Sequence, residues 1–161
     1  MGWKCEASIL FSRKRMRILV QRVSQAQVLV EGQVRGAIGL GLVLLVGIRQ
    51  DDGAEQVRFC AEKCAHLRIF PDQQGKLNHS VLEARGAVLA ISQFTLYGDC
   101  RRGRRPSFTE AASPAQAEPH YEQFLLALEN LGLRVERGVF GAHMTVELHN
   151  EGPVTLLVES P

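Results

Sequence analysis

The amino-acid sequence predicts an α/β fold, a compact single domain with a mainly antiparallel or mixed sheet and two packed helices. The chain has 161 residues, 45% of them hydrophobic, which suits one core and leaves little room for a second domain. Short alternating segments joined by tight turns are typical of antiparallel strands. Because no strand-helix-strand alternation continues along the chain, a doubly wound parallel sheet is not expected.

The domain is expected to span residues 16–161. The preceding segment, residues 1–15, does not continue the pattern that begins at Met16 and is interpreted as a disordered extension. Its apolar stretch is too short for a secretory signal, and Glu6 does not fit a myristoylation motif. A mitochondrial presequence remains a rival interpretation, weakened by Glu6 and by the short length.

The first half of the domain is predicted to contain three strands. Alternating apolar residues from Met16 lead to a turn at Glu31-Gly32, and the chain returns towards Ile38. The continuous apolar run Leu42–Ile48 indicates a strand covered on both faces, at the centre of the sheet. No run approaches the roughly 18 apolar residues that a membrane span needs, so no membrane partner is expected.

Two helices are predicted, each followed by further strands. Helical spacing between residues 57 and 67 predicts the first, with Asp51 or Asp52 as its N-cap. A capping box at residues 113–116 predicts the start of the second, and Gly132 its end. Later extended segments are predicted at residues 80–82, 87–94, 133–136, 144–148 and 154–158.

The cysteines indicate a reducing, cytoplasmic setting without disulfides. The four cysteines contain no C-x-x-C pair, and nothing resembles a secretory signal. Cys60 and Cys64 lie four residues apart near His66 and could hold half of a zinc site. No second pair supplies the other ligands, so we expect neither a metal nor a cofactor.

Arginines are concentrated in one loop, although the net charge is only +2. Gly103 and Pro106 exclude a helix or a central strand there. The cluster could simply be a solvated face, but adjacent cations repel one another, which favours a phosphate-rich partner such as nucleic acid. The candidate nucleic-acid-binding residues are Arg101, Arg102, Arg104 and Arg105.

A Thr-His-Asp arrangement is one catalytic possibility. Thr95, either His143 or His149, and Asp99 are the available members. No Gly-x-Ser-x-Gly elbow is present, and sequence spacing does not show that any histidine reaches Thr95. A threonine-dependent esterase acting on small esters therefore stays open as an alternative.

Four segments together resemble the D-aminoacyl-tRNA deacylase family, also called D-tyrosyl-tRNA deacylases. They are MRILVQRVSQAQV from Met16, SQFTLYGD from Ser92, CRRGRRPSF from Cys100 and NEGPVT from Asn150. The resemblance covers residues 16–160, and the stretches SQFTL and N-x-GPVT are both intact. It implies a homodimer that hydrolyses the ester between a D-amino acid and the terminal ribose of tRNA.

The resemblance also implies which residues form the site. The SQFTL strand end of one subunit and the Gly-Pro loop of the other would build one pocket, in which a cis Gly152-Pro153 bond excludes L side chains but not glycine. At a strand end without ladder partners, the backbone N–H groups of Phe94 and Thr95 can stabilise the oxyanion. The resemblance implies that a 2′-hydroxyl of the RNA helps to activate water. The catalytic set is Ser92, Gln93, Phe94 and Thr95, and the substrate-selecting set is Met144, Asn150, Gly152 and Pro153.

Three positions depart from the expected family pattern: Gly98, His143 and Glu151. These departures leave open which D-amino acids and tRNAs are preferred and whether glycyl-tRNA is a physiological substrate. They do not change the expected reaction class. A catalytically idle tRNA-binding module is the remaining alternative. It would need the arginines but not SQFTL and GPVT together.

Overall fold

The computed structural model describes residues 15–161; the extension predicted for residues 1–15 lies, apart from Arg15, outside the described residues. The strands are β1 (Arg17–Val30), β2 (Gln33–Ile38), β3 (Gly41–Gly47), β4 (Phe70–Pro71), β5 (Leu77–His79), β6 (Ala87–Ser92), β7 (Arg134–Arg137) and β8 (Thr145–Glu159). The helices are α1 (Ala54–His66), a short 3₁₀ helix (Phe94–Tyr97) and α2 (Pro114–Asn130). None of the helices in the described part is long and apolar enough to cross a membrane.

Six strands form one mixed sheet in the order β2-β1-β3-β6-β7, with β8 paired to β1. Strand β1 is antiparallel to β2, β3 and β8, whereas β3-β6 and β6-β7 are parallel. The sheet is curved, which brings β2 close to β7. A Cβ on Gly36 of β2 would lie 2.8 Å from the carbonyl oxygen of Arg137 in β7. The predicted mixed sheet with two helices is confirmed.

Strand β3 has apolar contacts on both faces, as its continuous apolar run predicts. Leu42 and Leu44 belong to the core cluster that includes residues of α1 and α2. Val43 belongs to a second cluster with Val28 of β1 and Leu89 of β6, on the concave side of the sheet. The predicted central position of this strand is therefore confirmed.

The ends of α2 match the sequence signals, but the start of α1 does not. Ser113 caps α2 by accepting a hydrogen bond from the Gln116 N–H, and Gly132 ends the helix with φ +99°. The predicted Asp51 or Asp52 cap of α1 is wrong, because Gly53 is the N-cap. The Asp52 carboxylate instead accepts from the Arg49 N–H within the preceding turn.

Two predicted extended segments are corrected. The segment 87–94 leaves the sheet after Ser92, and the chain then turns into the 3₁₀ helix. Residues 80–82 are not extended, because Ala84 and Gly86 donate backbone hydrogen bonds to the carbonyls of Ser80 and Val81 and close a turn. The strand on that side is β5, immediately before the turn.

The two predicted C-terminal strands, residues 144–148 and 154–158, form one strand instead. Strand β8 runs on through the predicted loop at residues 149–153, and its pairing with β1 shifts register there. Pairing with the long strand β1 thus outweighs the local turn signal. The Gly152-Pro153 bond within this irregular region is cis, which confirms that prediction.

Candidate functional site

A cleft of about 580 Å³ opens where β6 ends and the 3₁₀ helix begins. Ser92, Gln93 and Phe94 line one side of it. The other sides are the start of α2 with the segment before it and the chain leading into β8. These contribute Phe108, Ala111, Ala112, Pro114, Ala117, Phe140, Gly141, Ala142, His143, Met144 and Val146. This space is called the Phe94 cleft below.

Two aromatic rings stand at the edge of the Phe94 cleft. Phe94 and Phe108 meet edge to face, with ring centroids 5.2 Å apart. Phe94 is 55% exposed, so much of its surface remains open to a ligand. An exposed aromatic pair of this kind is suited to stacking against a planar base.

The backbone at the start of the 3₁₀ helix presents two N–H groups that have no acceptor in the described part of the chain. Gln93 N–H donates to the Val46 carbonyl (2.7 Å) and Leu96 N–H to the Gln93 carbonyl (3.3 Å). Between them, the N–H groups of Phe94 and Thr95 donate to no acceptor within residues 15–161. Unpaired N–H groups at a helix start are ready to bind an anion, and adjacent ones can form an oxyanion hole.

The Thr95 hydroxyl is hydrogen-bonded to another residue of the SQFTL stretch. It accepts a hydrogen bond from the Gln93 side-chain amide. No histidine of the described chain bonds it: His149 contacts Gln25 on the neighbouring strand, and His143 lines the Phe94 cleft without such a bond. The Thr-His-Asp arrangement is therefore not assembled among the described residues, which leaves Thr95 without a general base.

Asn150 organises the irregular stretch of β8. Its side-chain amide donates to the carbonyls of Arg22 and Val154, both at 3.0 Å. Its side-chain oxygen accepts from the Thr155 hydroxyl at 3.1 Å. The first and last residues of the N-x-GPVT stretch therefore hold the chain on either side of Gly152-Pro153. Within one chain, Asn150 positions backbone and does not line the Phe94 cleft.

Only part of the expected selecting set meets the catalytic set within one chain. Met144 lines the Phe94 cleft together with Ser92, Gln93 and Phe94. Gly152 and Pro153 are exposed on β8 and are absent from its lining. A single chain thus provides the cleft and, at a separate place, the Gly-Pro segment.

Comparisons with known proteins show which family the chain belongs to. A family model described as D-Tyr-tRNA(Tyr) deacylase matches residues 19–159. The chain belongs to this family. The D-aminoacyl-tRNA deacylase of Halalkalibacterium halodurans is 62% identical over 145 residues, covering 90% of this chain and 99% of the relative. That of Thermus aquaticus is 54% identical over 145 residues, covering 90% and 95%. The resemblance found in the sequence is confirmed.

Two solved structures share the fold of this deacylase. One, titled "c-Myc DNA Unwinding Element Binding Protein", superposes with a TM-score of 0.85 at 38% identity, covering 90% of this chain and 99% of that one. The other, titled as a probable eukaryotic D-amino acid tRNA deacylase, has a TM-score of 0.77 at 20% identity, covering 91% and 100%. At that identity the second supports the fold alone.

The arginine loop of the deacylase carries three cations without an ion-pair partner among the described residues. Arg101 forms a two-point pair with Asp99 (2.8 and 2.6 Å), and these hydrogen bonds lower the Asp99 pKa to about 2. Arg102, Arg104 and Arg105 are exposed and make no ion pair with any described residue. The predicted cluster is therefore divided into one neutralised arginine and three that face solvent.

Asp52 is a buried acid that the sequence analysis treated only as a possible helix cap. It is 8% exposed, and one carboxylate oxygen has no partner within residues 15–161. Burial, the largest cause, raises its pKa to about 6. Nothing in the local sequence distinguishes it from Asp51; only the packing of its turn against the core does.

Replacing Asp52 with asparagine should change how stability depends on pH. Because the folded pKa lies above the ordinary value of 3.8, ionisation opposes folding, and wild-type stability falls as pH rises from about 4 to 6. Relative to wild type, the Asp52→Asn protein should gain up to about 2–3 kcal/mol between pH 4 and pH 7.5. Urea unfolding at both pH values measures this. A difference that does not vary with pH would contradict the assignment.

Proposed function

We propose that the chain hydrolyses the ester of D-aminoacyl-tRNA in the Phe94 cleft, releasing tRNA and a D-amino acid. As a member of the deacylase family, the protein is a hydrolase acting on aminoacyl-tRNA ester bonds. The observation that carries the assignment of the site is the pair of free N–H groups at Phe94 and Thr95. They lie at the edge of a cleft with an exposed aromatic pair.

The proposed reaction does not need a strong side-chain nucleophile. An aminoacyl ester is already activated, so a positioned water can attack its carbonyl carbon, and the developing oxyanion is stabilised by the two N–H groups. The tetrahedral intermediate then expels the ribose oxygen. Of the two protons that the attacking water loses, one goes to this oxygen and the other to solvent, leaving the amino-acid carboxylate. In this mechanism Gln93 and the Thr95 hydroxyl position the reacting groups, and the RNA 2′-hydroxyl assists the water.

Discrimination between D and L amino acids is assigned to a homodimer. Strand β8 pairs only with β1 among the described strands, and it carries the exposed residues Leu156 (40%) and Leu157 (51%) close to Gly152-Pro153. A long edge strand with exposed leucines favours association with a second copy. In that dimer, Gly152 and Pro153 of one subunit enter the Phe94 cleft of the other and exclude an L side chain.

Excluding a side chain from one direction does not depend on its identity. The enzyme would therefore accept many D-amino acids. Glycine has no side chain to exclude, so glycyl-tRNA would also be hydrolysed.

The proposed location is the cytoplasm, where aminoacyl-tRNA is used. Cys60 and Cys64 are free, buried thiols. Burial raises the pKa of Cys60 to about 12, so the thiol stays protonated and unreactive at neutral pH. Both cysteines suit a reducing compartment.

Three substrates separate the possible functions. The proposed function predicts rapid hydrolysis of D-aminoacyl-tRNA, little hydrolysis of the L-aminoacyl-tRNA, and little hydrolysis of a free D-amino-acid ester. A threonine-dependent esterase would hydrolyse the free ester as well as the tRNA. A non-catalytic binding module would bind tRNA and hydrolyse none of the three.

Thr95→Ala is expected to slow the reaction only moderately, by about tenfold. The proposed oxyanion hole is made of backbone N–H groups, which survive the substitution, whereas loss of a nucleophile would cost several orders of magnitude. Single-turnover deacylation of D-aminoacyl-tRNA measures the effect. A covalent acyl adduct trapped on Thr95 would contradict this role and support the esterase.

Removing the three unpaired loop arginines should weaken tRNA binding. For the triple alanine variant of Arg102, Arg104 and Arg105, we expect at least about tenfold lower affinity. The slope of log K against log salt should fall by about 0.7–0.9 for each phosphate that the variant no longer neutralises. The single-turnover rate at saturating protein should change little. Normal binding across the salt series would show that the loop is only a solvated surface.

A further inference from the structure

A second cleft, of about 870 Å³, lies beside the loop that follows the 3₁₀ helix. Four of its ten lining residues are arginines, and only one of these, Arg101, belongs to the nucleic-acid-binding set predicted from the sequence. Its lining residues are Arg15, Arg17, Arg49, Tyr97, Gly98, Asp99, Arg101, Ser107, Thr109 and Glu110. It is called the arginine cleft below.

The two clefts share one wall. Ser107 and Thr109 line the arginine cleft, whereas Phe108 between them lines the Phe94 cleft. This alternation follows from extended backbone, since Ser107 pairs with Asp99 through two hydrogen bonds of 2.7 and 3.0 Å. The loop is therefore a ridge, with the aromatic pair on one side and arginines on the other.

Arg17 links the arginine cleft to the proposed catalytic turn. Its guanidinium donates to the Leu96 carbonyl at 3.1 Å and lies 5.0 Å from the centre of the Tyr97 ring. The Tyr97 hydroxyl lies within hydrogen-bond distance of the carbonyls of Arg15 and Gly47 and can donate its one proton to either. The wall of the arginine cleft is thus attached to the same 3₁₀ helix that presents the free N–H groups.

Arg101 is held by Asp99, but the ion pairs of the other three arginines of this cleft are longer. Arg15 and Arg17 share one carboxylate oxygen of Glu159 at 3.6 and 3.4 Å. Arg49 lies 3.3 Å from Asp51 and 3.8 Å from Glu110. Long, partly exposed pairs of this kind contribute little, so a phosphate can compete for the guanidiniums.

The surrounding charge is positive. Among the described residues, the cleft and the adjoining loop together hold seven arginines, against four carboxylates in contact with them. A basic groove next to an exposed aromatic platform is the arrangement with which proteins hold single-stranded nucleic acid.

We propose that the arginine cleft binds the backbone phosphates of the acceptor strand, next to the terminal nucleotide held in the Phe94 cleft. This inference rests on the proposed function. With the ester at the free N–H groups and the terminal base on the aromatic pair, the strand crosses the ridge at Phe108. Its phosphates then meet Arg49 and Arg15. The cleft thereby selects tRNA over small esters, which have no phosphate to place there.

The test compares two substrates that differ in the phosphates. D-tyrosyl-tRNA carries them, and the 3′-D-tyrosyl ester of adenosine does not. In the Arg15→Gln, Arg49→Gln double variant, we expect the ratio of the two kcat/KM values, tRNA over adenosine ester, to fall about tenfold. Arg35→Gln is the matched control, because Arg35 is an exposed arginine on β2 that lines neither cleft. An equal loss on both substrates, or no loss, would overturn the proposal.

A binding measurement keeps the test independent of hydrolysis. An uncharged acceptor-stem hairpin with its single-stranded 3′ end should bind the double variant at least about fivefold more weakly than wild type. The salt slope should be lower by about 0.7–0.9 for each phosphate left without its arginine. Unchanged affinity and slope would overturn the assignment. Inorganic phosphate binding as tightly as the hairpin would also overturn it, identifying a site for a free anion.

The two proposals can fail separately. If wild-type protein hydrolyses neither substrate, the proposed function is wrong, and the hairpin measurement still decides whether the cleft holds RNA phosphates. If it hydrolyses D-tyrosyl-tRNA but the double variant behaves like wild type in both assays, only the arginine cleft is wrongly assigned. Unchanged unfolding temperatures for both variants would confirm that the fold is intact.

Discussion

Replacing Gly41 with alanine is expected to unfold or severely destabilise the protein, by about 3 kcal/mol or more. A Cβ at Gly41 would lie 1.9 Å from the Ala87 carbonyl oxygen. Both residues are backbone partners where β3 pairs with β6, so neither can move without opening the centre of the sheet. Thermal unfolding and the yield of soluble protein measure the effect.

Gly39→Ala is the matched control for this substitution. Gly39 lies two residues away in the turn before β3, and a Cβ there would meet nothing within 4 Å. Its effect should stay within about 0.5 kcal/mol. Similar unfolding temperatures for the two variants would show that the close approach of β3 and β6 is wrong.

Gly152→Ala is expected to reduce deacylation of D-aminoacyl-tRNA by about 100-fold while leaving the domain folded. Gly152 has φ +115°, which L side chains rarely adopt, and its Cβ would lie 2.8 Å from a terminal nitrogen of Arg22. Arg22 is buried and cannot swing away without losing its 2.7 Å bond to the Ile69 carbonyl. The backbone must therefore move, and displacement of about 1 Å at a positioning segment costs about this much in rate.

Gly32→Ala separates backbone strain from the effect on the site. Gly32 also has a positive φ (+75°), but it lies in the β1–β2 turn with nothing within 4 Å of its Cβ position. It should lose about 1 kcal/mol of stability and keep the wild-type rate. The measurement is single-turnover deacylation of both variants beside their unfolding curves. A Gly152→Ala enzyme as active as Gly32→Ala would exclude Gly152 from the site.

The elements that were predicted correctly are those whose signals are local. The capping box at Ser113 and the glycine at Gly132 bound α2, and the continuous apolar run became the central strand β3. For the two predicted C-terminal strands, pairing with a distant strand decided the outcome. Strand β8 stays continuous through Gly152-Pro153 because β1, more than 100 residues earlier in the chain, pairs with it on both sides of the irregularity.

The candidate site divides in the same way. Ser92, Gln93 and Phe94 are consecutive in the SQFTL stretch, so the sequence already predicts that they lie in the same cleft. The free N–H groups depend on the strand ending at Ser92, which the sequence pattern placed two residues too late. Asp52 was missed as a titrating group because burial is a property of packing that a local pattern does not contain.

The sequence by itself determined the fold class, the family, the signature stretches and the presence of a basic loop. Each of these can be recognised from residues close together in the sequence, by their periodicity, their turn chemistry or a motif. Only the tertiary structure decided that Gly152-Pro153 lies apart from the Phe94 cleft of its own chain, and that the loop is a ridge between two clefts. It also decided that Asp99 neutralises Arg101. These facts depend on distances between atoms, which arise when the strands pair and the turns pack against one core.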